Sequence, residues 1–419
     1  MSSDFSRRSL FKGLGIGSGL GLLAGVGASA LLKNDKICLD ESLPADAPAT
    51  SHALRRLINT FNDFDQVYLK GLFGEPDAHE VAEGERYLLH LLATGIELFV
   101  EGRDTHPEFA SIVSPTRKLM GDNADAYYFH SQIRGDTWYR IRGQLTGETY
   151  LSFTVHTGDT PGGWATGVAS AINHQDMKID ADGNFELLLG PEDRGNGFFT
   201  THNAVSIISR HYYQNENYAA ADPLLHPRLS IEPVESVAPP TPLSDAEMAR
   251  KLDSLNAFVR ANSIERPMFN PLTTPDWFSI IPNKLGKPAK WKNDEAGGGW
   301  GAVDNAYSAG LFNIKPDEAL IIRGVMPDCL FSNVLLWNRY LQSFDYRYRQ
   351  VSLNKKQMQL ADDGSFTIVV AHSDPGVGNW LDTEGHVNGI IYWRFMLPST
   401  DIAEMSTEKV ALHEVAARV

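Results

Sequence analysis

The chain has 419 residues, 42% of them apolar and 21% charged, with a formal net charge of −15 at pH 7. That length and apolar content suffice for two domains, each able to bury a core of its own. The acidic balance argues against nucleic acid and anionic membrane as partners, because both are bound through clustered Lys and Arg; a small acidic ligand at a local Arg cluster stays open.

Residues 1–30 read as an address. Ser6-Arg7-Arg8-Ser9-Leu10-Phe11-Lys12 resembles the twin-arginine translocation motif, an apolar Gly-rich run follows, and Ala28-Ser29-Ala30 offers a small-residue cleavage signal. The expectation is a periplasmic or otherwise exported protein, carried folded by the twin-arginine translocase. The apolar run is about long enough to span a bilayer, so an uncleaved N-terminal anchor is the alternative. Only Cys38 and Cys329 occur, which excludes a disulfide framework and a four-thiolate metal site. Cys329 sits in an apolar run and reads as a packed free thiol.

From residue 51 the pattern is helical, with Leu54, Leu57, Ile58, Phe61, Phe64 and Tyr68 at steps of three and four. A second helix over 82–99 is apolar on more than one face and therefore expected between other elements. From residue 127, short runs rich in Tyr, Ile, Val and Phe alternate with Gly, Asp and Asn clusters: 127–133, 137–143, 150–156, 177–179, 185–189 and 204–213. No helix-length segment separates them, so they predict antiparallel sheets closed into a sandwich or jelly roll. Asp182-Gly183 marks a hairpin. Residues 215–243 are proline-rich and read as a surface linker. A capping box at Ser244 and Glu247 then opens a helix with Met248, Leu252, Leu255 and Val259 on one stripe.

The strand pattern resumes near residue 319 as a repeat. Asp122-Asn123-Ala124 returns as Asp304-Asn305-Ala306, Arg142-Gly143 as Arg323-Gly324, and Asp182-Gly183 with Phe185 as Asp363-Gly364 with Phe366. Asn196 returns as Asn379, and His202 with Arg210 as His386 with Arg394, all at offsets of 181 to 184 residues. The fold class expected is mainly β with helical lead-ins (α+β), as two tandem jelly-roll-like β-sandwich lobes from an internal duplication. The parts are a signal peptide (1–30), N-terminal helices with a β-lobe (51–214), the linker (215–243), a helix with the C-terminal β-lobe (244–398) and a tail (399–419).

Gly121-Asp-Asn-Ala-Asp-Ala-Tyr127, Tyr139-Arg-Ile-Arg-Gly143, the Asp-Gly hairpin and Asn379-Trp380-Leu381 followed by Arg394 and Pro398 resemble the proteins that carry the domain of unknown function 1214. The resemblance spans roughly residues 107–398. It implies a jelly-roll-like β fold and no established activity.

The duplication sorts polar residues: one present in both lobes serves folding, one present in a single lobe is freer to serve function. Asp122, Arg142, Asn196, His202, Arg210 and their counterparts lean structural on that rule, the functional alternative being that both lobes bind something alike. The connection from His372 to His386 is the densest polar stretch, and loops on a rigid sheet concentrate function. It yields a ligand site of His372, Asp374, Asn379, Trp380 and Arg394. Arg347 and Arg349 join from 344–349, which as a strand has one charged and one aromatic face. Asp382 and His386, four apart, are the acid–base candidates. No metal is assigned, since His372, Asp374 and His386 match no compact ligand motif. The sequence names no cofactor, and nucleophile elbow and phosphate loop are absent. The reading is an exported protein binding a small organic ligand at the C-terminal lobe. The alternative is a periplasmic hydrolase or lyase acting on a sugar or organic acid through Asp382 and His386.

Overall fold

The computed structural model describes residues 43–69, 75–265, 274–291 and 300–419. The leader with Arg7 and Arg8, Cys38 and Gly297 to Gly299 lie outside the described residues. Among those described, no helix is long and apolar enough to cross a membrane.

Among the described residues, fourteen of the eighteen strands build the main sheets, the other four being pieces of two or three residues. The N-terminal lobe contains β1 (Ala126–Gln132), β2 (Tyr139–Gln144), β3 (Tyr150–Thr157), β4 (Gly167–Asn173), β5 (Asn184–Leu189), β6 (Ala204–Tyr212) and β7 (Arg228–Pro233). The C-terminal lobe contains β8 (Asn305–Asn313), β9 (Glu318–Val325), β10 (Phe331–Trp337), β11 (Ser352–Asn354), β12 (Ser365–Ala371), β13 (Asn388–Met396) and β14 (Ser406–Ala411). In each lobe the larger sheet has the same order, β1-β6-β3-β4 against β8-β13-β10-β11, and so has the smaller, β5-β2-β7 against β12-β9-β14. Every one of these pairings is antiparallel. The fold is mainly β and sandwich-like, as the alternation of the runs predicts.

β5 shows why: Phe185, Leu187 and Leu189 point into the N-terminal core while the residues between them are exposed, the period-two pattern of a half-buried strand. The inner strand β10 is buried along its whole length. Its Val334 and Leu336 join Leu320, Ile322, Ile368, Val370, Trp393 and Phe395 in the C-terminal core. Cys329 is packed there too, where burial pushes its thiol up to about 11.

Three differences from the sequence reading have local causes. The small-residue strand β4 has too little bulk to register as a strand, whereas 177–179 follows a turn and touches the sheet through one bridge at Ile179. β7 lies inside the proline-rich stretch; it is an edge strand, where Pro233 costs no inner-ladder bond. The region after residue 399 is likewise no mere tail, since β14 completes the smaller C-terminal sheet.

The lead-in helices form one cluster instead of one per lobe. α1 (Ala49–Val67) and α3 (Asp245–Ala261) are tied by Arg56 to Asp253 and by Thr60 to Asn256, and both share a core with α2 (Ala78–Gly95). α2 begins with a full capping box of Asp77 and Glu80, while at α3 only Ser244 caps, accepting from the Glu247 amide. Gly84 lets α2 approach the C-terminal lobe, because a Cβ there would stand 2.7 Å from the Tyr340 hydroxyl.

Candidate functional site

The polar loop is largely spent on its own closure. Asn379 is buried, with Oδ1 accepting from the Gln359 amide and Nδ2 donating to the carbonyls of Gln359 and Thr367. The Trp380 indole donates to Ala371 O, exposed Asp374 accepts from the Gly376 amide, and His372 bridges Ile314 O and the Thr383 hydroxyl. Asp382 accepts from Arg349 at 2.9 Å and from the Glu384 amide at 2.8 Å.

Segment 344–349 is a turn and not a strand: the amides of Tyr348 and Arg349 both donate to Asp345 O. Its expected charged face therefore does not form. Arg347 folds back on Asp345 at 2.6 Å, and both arginines border a surface groove with their guanidinium groups already paired. Asp382 and His386 are not joined either. His386 turns away to Glu83, its Nε2 lying 3.1 Å from Glu83 Oε2 and its Nδ1 3.0 Å from Thr383 O.

Arg394 reaches a cavity instead. On β13 it stands opposite Tyr307 of β8 and Asn333 of β10. Arg210 on β6 stands opposite Tyr128 of β1 and Ser152 of β3. The two arginines occupy like positions in like sheets, and both line a cavity of about 150 Å³ between the lobes. Its walls include Tyr128, Tyr212, Tyr307 and Tyr392, with Trp300 and Trp337.

The seam around this cavity is reciprocal. The register places Asp125, and not the sequence-aligned Asp122, at the position of Asp304, each three residues before the paired tyrosine. Asn173 and Asn354 also correspond, facing Ser152 and Asn333. Asn354 donates to Asp125 at 2.9 Å, and Asn173 donates to Asp304 at 3.0 Å, so each lobe offers an acid to the other's asparagine. Asp125 also accepts from Asn333 at 2.9 Å; burial raises its carboxyl to about 6 against these bonds.

The two guanidinium groups are held differently. Arg210 donates to the Thr154 hydroxyl at 2.8 Å and to Trp300 O at 2.7 Å. Arg394, 4% exposed, donates from Nη2 to Gly121 O at 2.7 Å and packs over the rings of Tyr392 and Trp337, whereas its buried Nη1 has no partner. Burial opposes its charge, but the surrounding tyrosine oxygens outweigh that and keep it protonated. The acid in the cavity wall is Asp122, whose two oxygens are taken by the Ser343 amide and hydroxyl. Two cations thus face one engaged carboxylate. Burial raises the hydroxyls of Tyr128 and Tyr307, so both stay protonated donors.

By sequence Arg210 leans to the scaffold, and no motif singles out the four tyrosines. The available signal was a charge inside a strand otherwise too apolar to be solvated: Arg394 within Ile390-Ile-Tyr-Trp-Arg-Phe-Met396, and Arg210 within β6.

A mainly β, sandwich-like architecture with a cavity walled by its two larger sheets is the class defined by fold and site. A sequence model of the family described as "Protein of unknown function (DUF1214)" matches residues 337–400, which include β13 and Arg394. Among solved structures, an uncharacterised protein from Burkholderia cenocepacia is similar with a TM-score of 0.72 and 25% identity, over 87% of this chain and 97% of that one. A Vibrio parahaemolyticus protein aligns over 78% of this chain and 97% of its own, with 14% identity and a TM-score of 0.44. No curated protein matches the chain.

Proposed function

We propose that this is an exported protein, delivered by its twin-arginine leader, that holds a small organic anion between its two lobes. The observation that carries the reading is Arg394: a guanidinium in the cavity wall, 4% exposed, whose buried Nη1 has no partner. Leaving such a donor unsatisfied costs about 1–3 kcal/mol, more for a charged group, and a ligand carboxylate removes that cost. Guanidinium and carboxylate pair in a planar, bidentate way, and aromatic walls suit an apolar body behind the carboxylate. A cavity of about 150 Å³ accepts a ligand on the scale of benzene, which sets the size class at small monocarboxylates such as benzoate. The common strand order and the reciprocal Asp–Asn bonds support an internal duplication in which two equivalent arginines converge on one site.

The test is thermal unfolding of the purified chain with benzoate, short aliphatic carboxylates and benzamide as neutral control. At a hundred times its dissociation constant a ligand adds about 2.7 kcal/mol of stability, so a true ligand raises Tm by several degrees. Carboxylates are expected to stabilise and benzamide not. If no carboxylate shifts Tm, or benzamide does so equally, the reading fails. Export is tested separately: changing Arg7 and Arg8 together to Lys is expected to leave the protein in the cytoplasm on fractionation.

A further inference from the structure

His386 lies at a second constellation, away from the cavity. Asp77-Ala-His79-Glu80-Val-Ala-Glu83 opens α2, and the spacing of four puts His79 and Glu83 on one helix face. Across from them, Thr383 to His386 forms a tight turn closed by the His386 amide on Thr383 O, with positive φ at Glu384 (52°) and Gly385 (84°). Glycine suits that conformation, but glutamate adopts it at a cost, so the backbone is constrained where it presents the imidazole to the helix.

We propose that His79, Glu83 and His386 form a binding site for a divalent transition-metal ion of the zinc type. One donor atom from each lies within 4.8 Å of the others. His386 Nε2 is 3.1 Å from Glu83 Oε2, His79 Nε2 is 3.9 Å from Glu83 Oε1, and the two imidazole centroids are 5.0 Å apart. Bonds of about 2.0–2.2 Å around one tetrahedral ion set donor atoms roughly 3.4 Å apart. Glu83 and His386 already lie near that spacing, and a small rotation of the His79 side chain, 66% exposed, closes the rest.

The surroundings fit a ligand set better than a simple ion pair. His386 Nδ1 bonds a backbone carbonyl, which directs Nε2 to the site, the usual outer support of a metal-bound histidine. Phe344 stacks on the ring at 4.4 Å and fixes its plane. Asp77 and Glu384 add negative potential from the helix start and the turn. An ion pair needs only Glu83 and His386; a second imidazole on the same carboxylate has a purpose when a cation sits among the three. Two nitrogens and one carboxylate oxygen, with remaining positions open on the exposed side, suit Zn²⁺.

The experiment uses the whole purified chain, stripped with chelator, dialysed, and titrated with Zn²⁺ by calorimetry and with Co²⁺ by visible absorption. One ion per chain is expected, with the d–d bands of a low-coordinate Co²⁺ site. His79→Ala is expected to lose at least about tenfold in Zn²⁺ affinity without a change in metal-free Tm, since His79 is exposed; Glu83→Gln is expected to lose as much. Two results overturn the assignment: no Zn²⁺ binding by the wild-type chain at micromolar concentration, or His79→Ala binding as tightly as wild type, which reduces the trio to an ion pair fastening α2. Neither outcome bears on the cavity, whose ligand contacts are separate.

Discussion

Arg210 and Arg394 occupy the same place in two sheets of the same strand order, yet only one of them is finished by the protein. Arg210 is closed off by Thr154, Trp300 and Gly301, while Arg394 keeps a buried nitrogen for something else. The histidines differ in the same way: His202 is exposed at the end of its lobe, whereas His386 is buried beneath α2 against Glu83. A residue repeated in both lobes is therefore not scaffold by that fact alone. What covers each copy decides its use.

The largest expected effect separates the arginines by ligand. Arg394→Met is expected to weaken carboxylate binding by about a hundredfold or more, the scale of about 3 kcal/mol for a desolvated charge pair losing one partner. Its unliganded stability changes by less than about 1 kcal/mol, because an apolar side chain also relieves the unpartnered Nη1. Arg210→Met should do the opposite to folding. It leaves Thr154 and two carbonyls without their donor and lowers stability by about 3 kcal/mol in urea unfolding. Equal behaviour of the two variants in both measurements would erase the distinction between them.

The seam gives a pH test of somewhat smaller size. Asp125 holds its proton more tightly folded, with a carboxyl raised to about 6 from the ordinary 3.8. Its contribution is thus favourable below pH 3.8 and is lost as pH rises through about 6. Across that window wild-type stability is expected to fall by about 2–3 kcal/mol relative to Asp125→Asn, whatever the offset between them. Parallel pH profiles for the two proteins would mean that the buried carboxylate is already ionised at the seam.

The fold was legible where side chains alternate or punctuate: the hairpin at Asp182-Gly183, the buried face of β5, the stripe of α3. β4 was illegible because its small residues carry no period, and β7 because proline marks loops more often than edges. The letter match between Asp122-Asn-Ala and Asp304-Asn-Ala is three residues out of step with the sheets, where Asp125 and Asp304 each precede the paired tyrosine by three. The site was half legible. Arg394 stood in the expected set, but the four tyrosines around it come from four separate strands, and His386 finds Glu83 some three hundred positions away. Only the folded chain brings such groups together.

The smallest effect tests the loop against the cavity. Asp382 is 6% exposed, and its oxygens meet Arg349 and the Glu384 amide. Asp382→Asn keeps an oxygen for that amide and loses only the charge on a pair whose arginine side chain is 46% exposed. Solvent screens such a pair, so the expected loss is about 1 kcal/mol, visible as a Tm shift of a few degrees at most. Carboxylate binding should be unchanged, because Asp382 is no part of the cavity wall that Arg394 and Arg210 share. If instead the variant folds normally and no longer binds carboxylate, the ligand sits at the His372 to His386 loop, and the unpartnered nitrogen of Arg394 has no ligand to explain it.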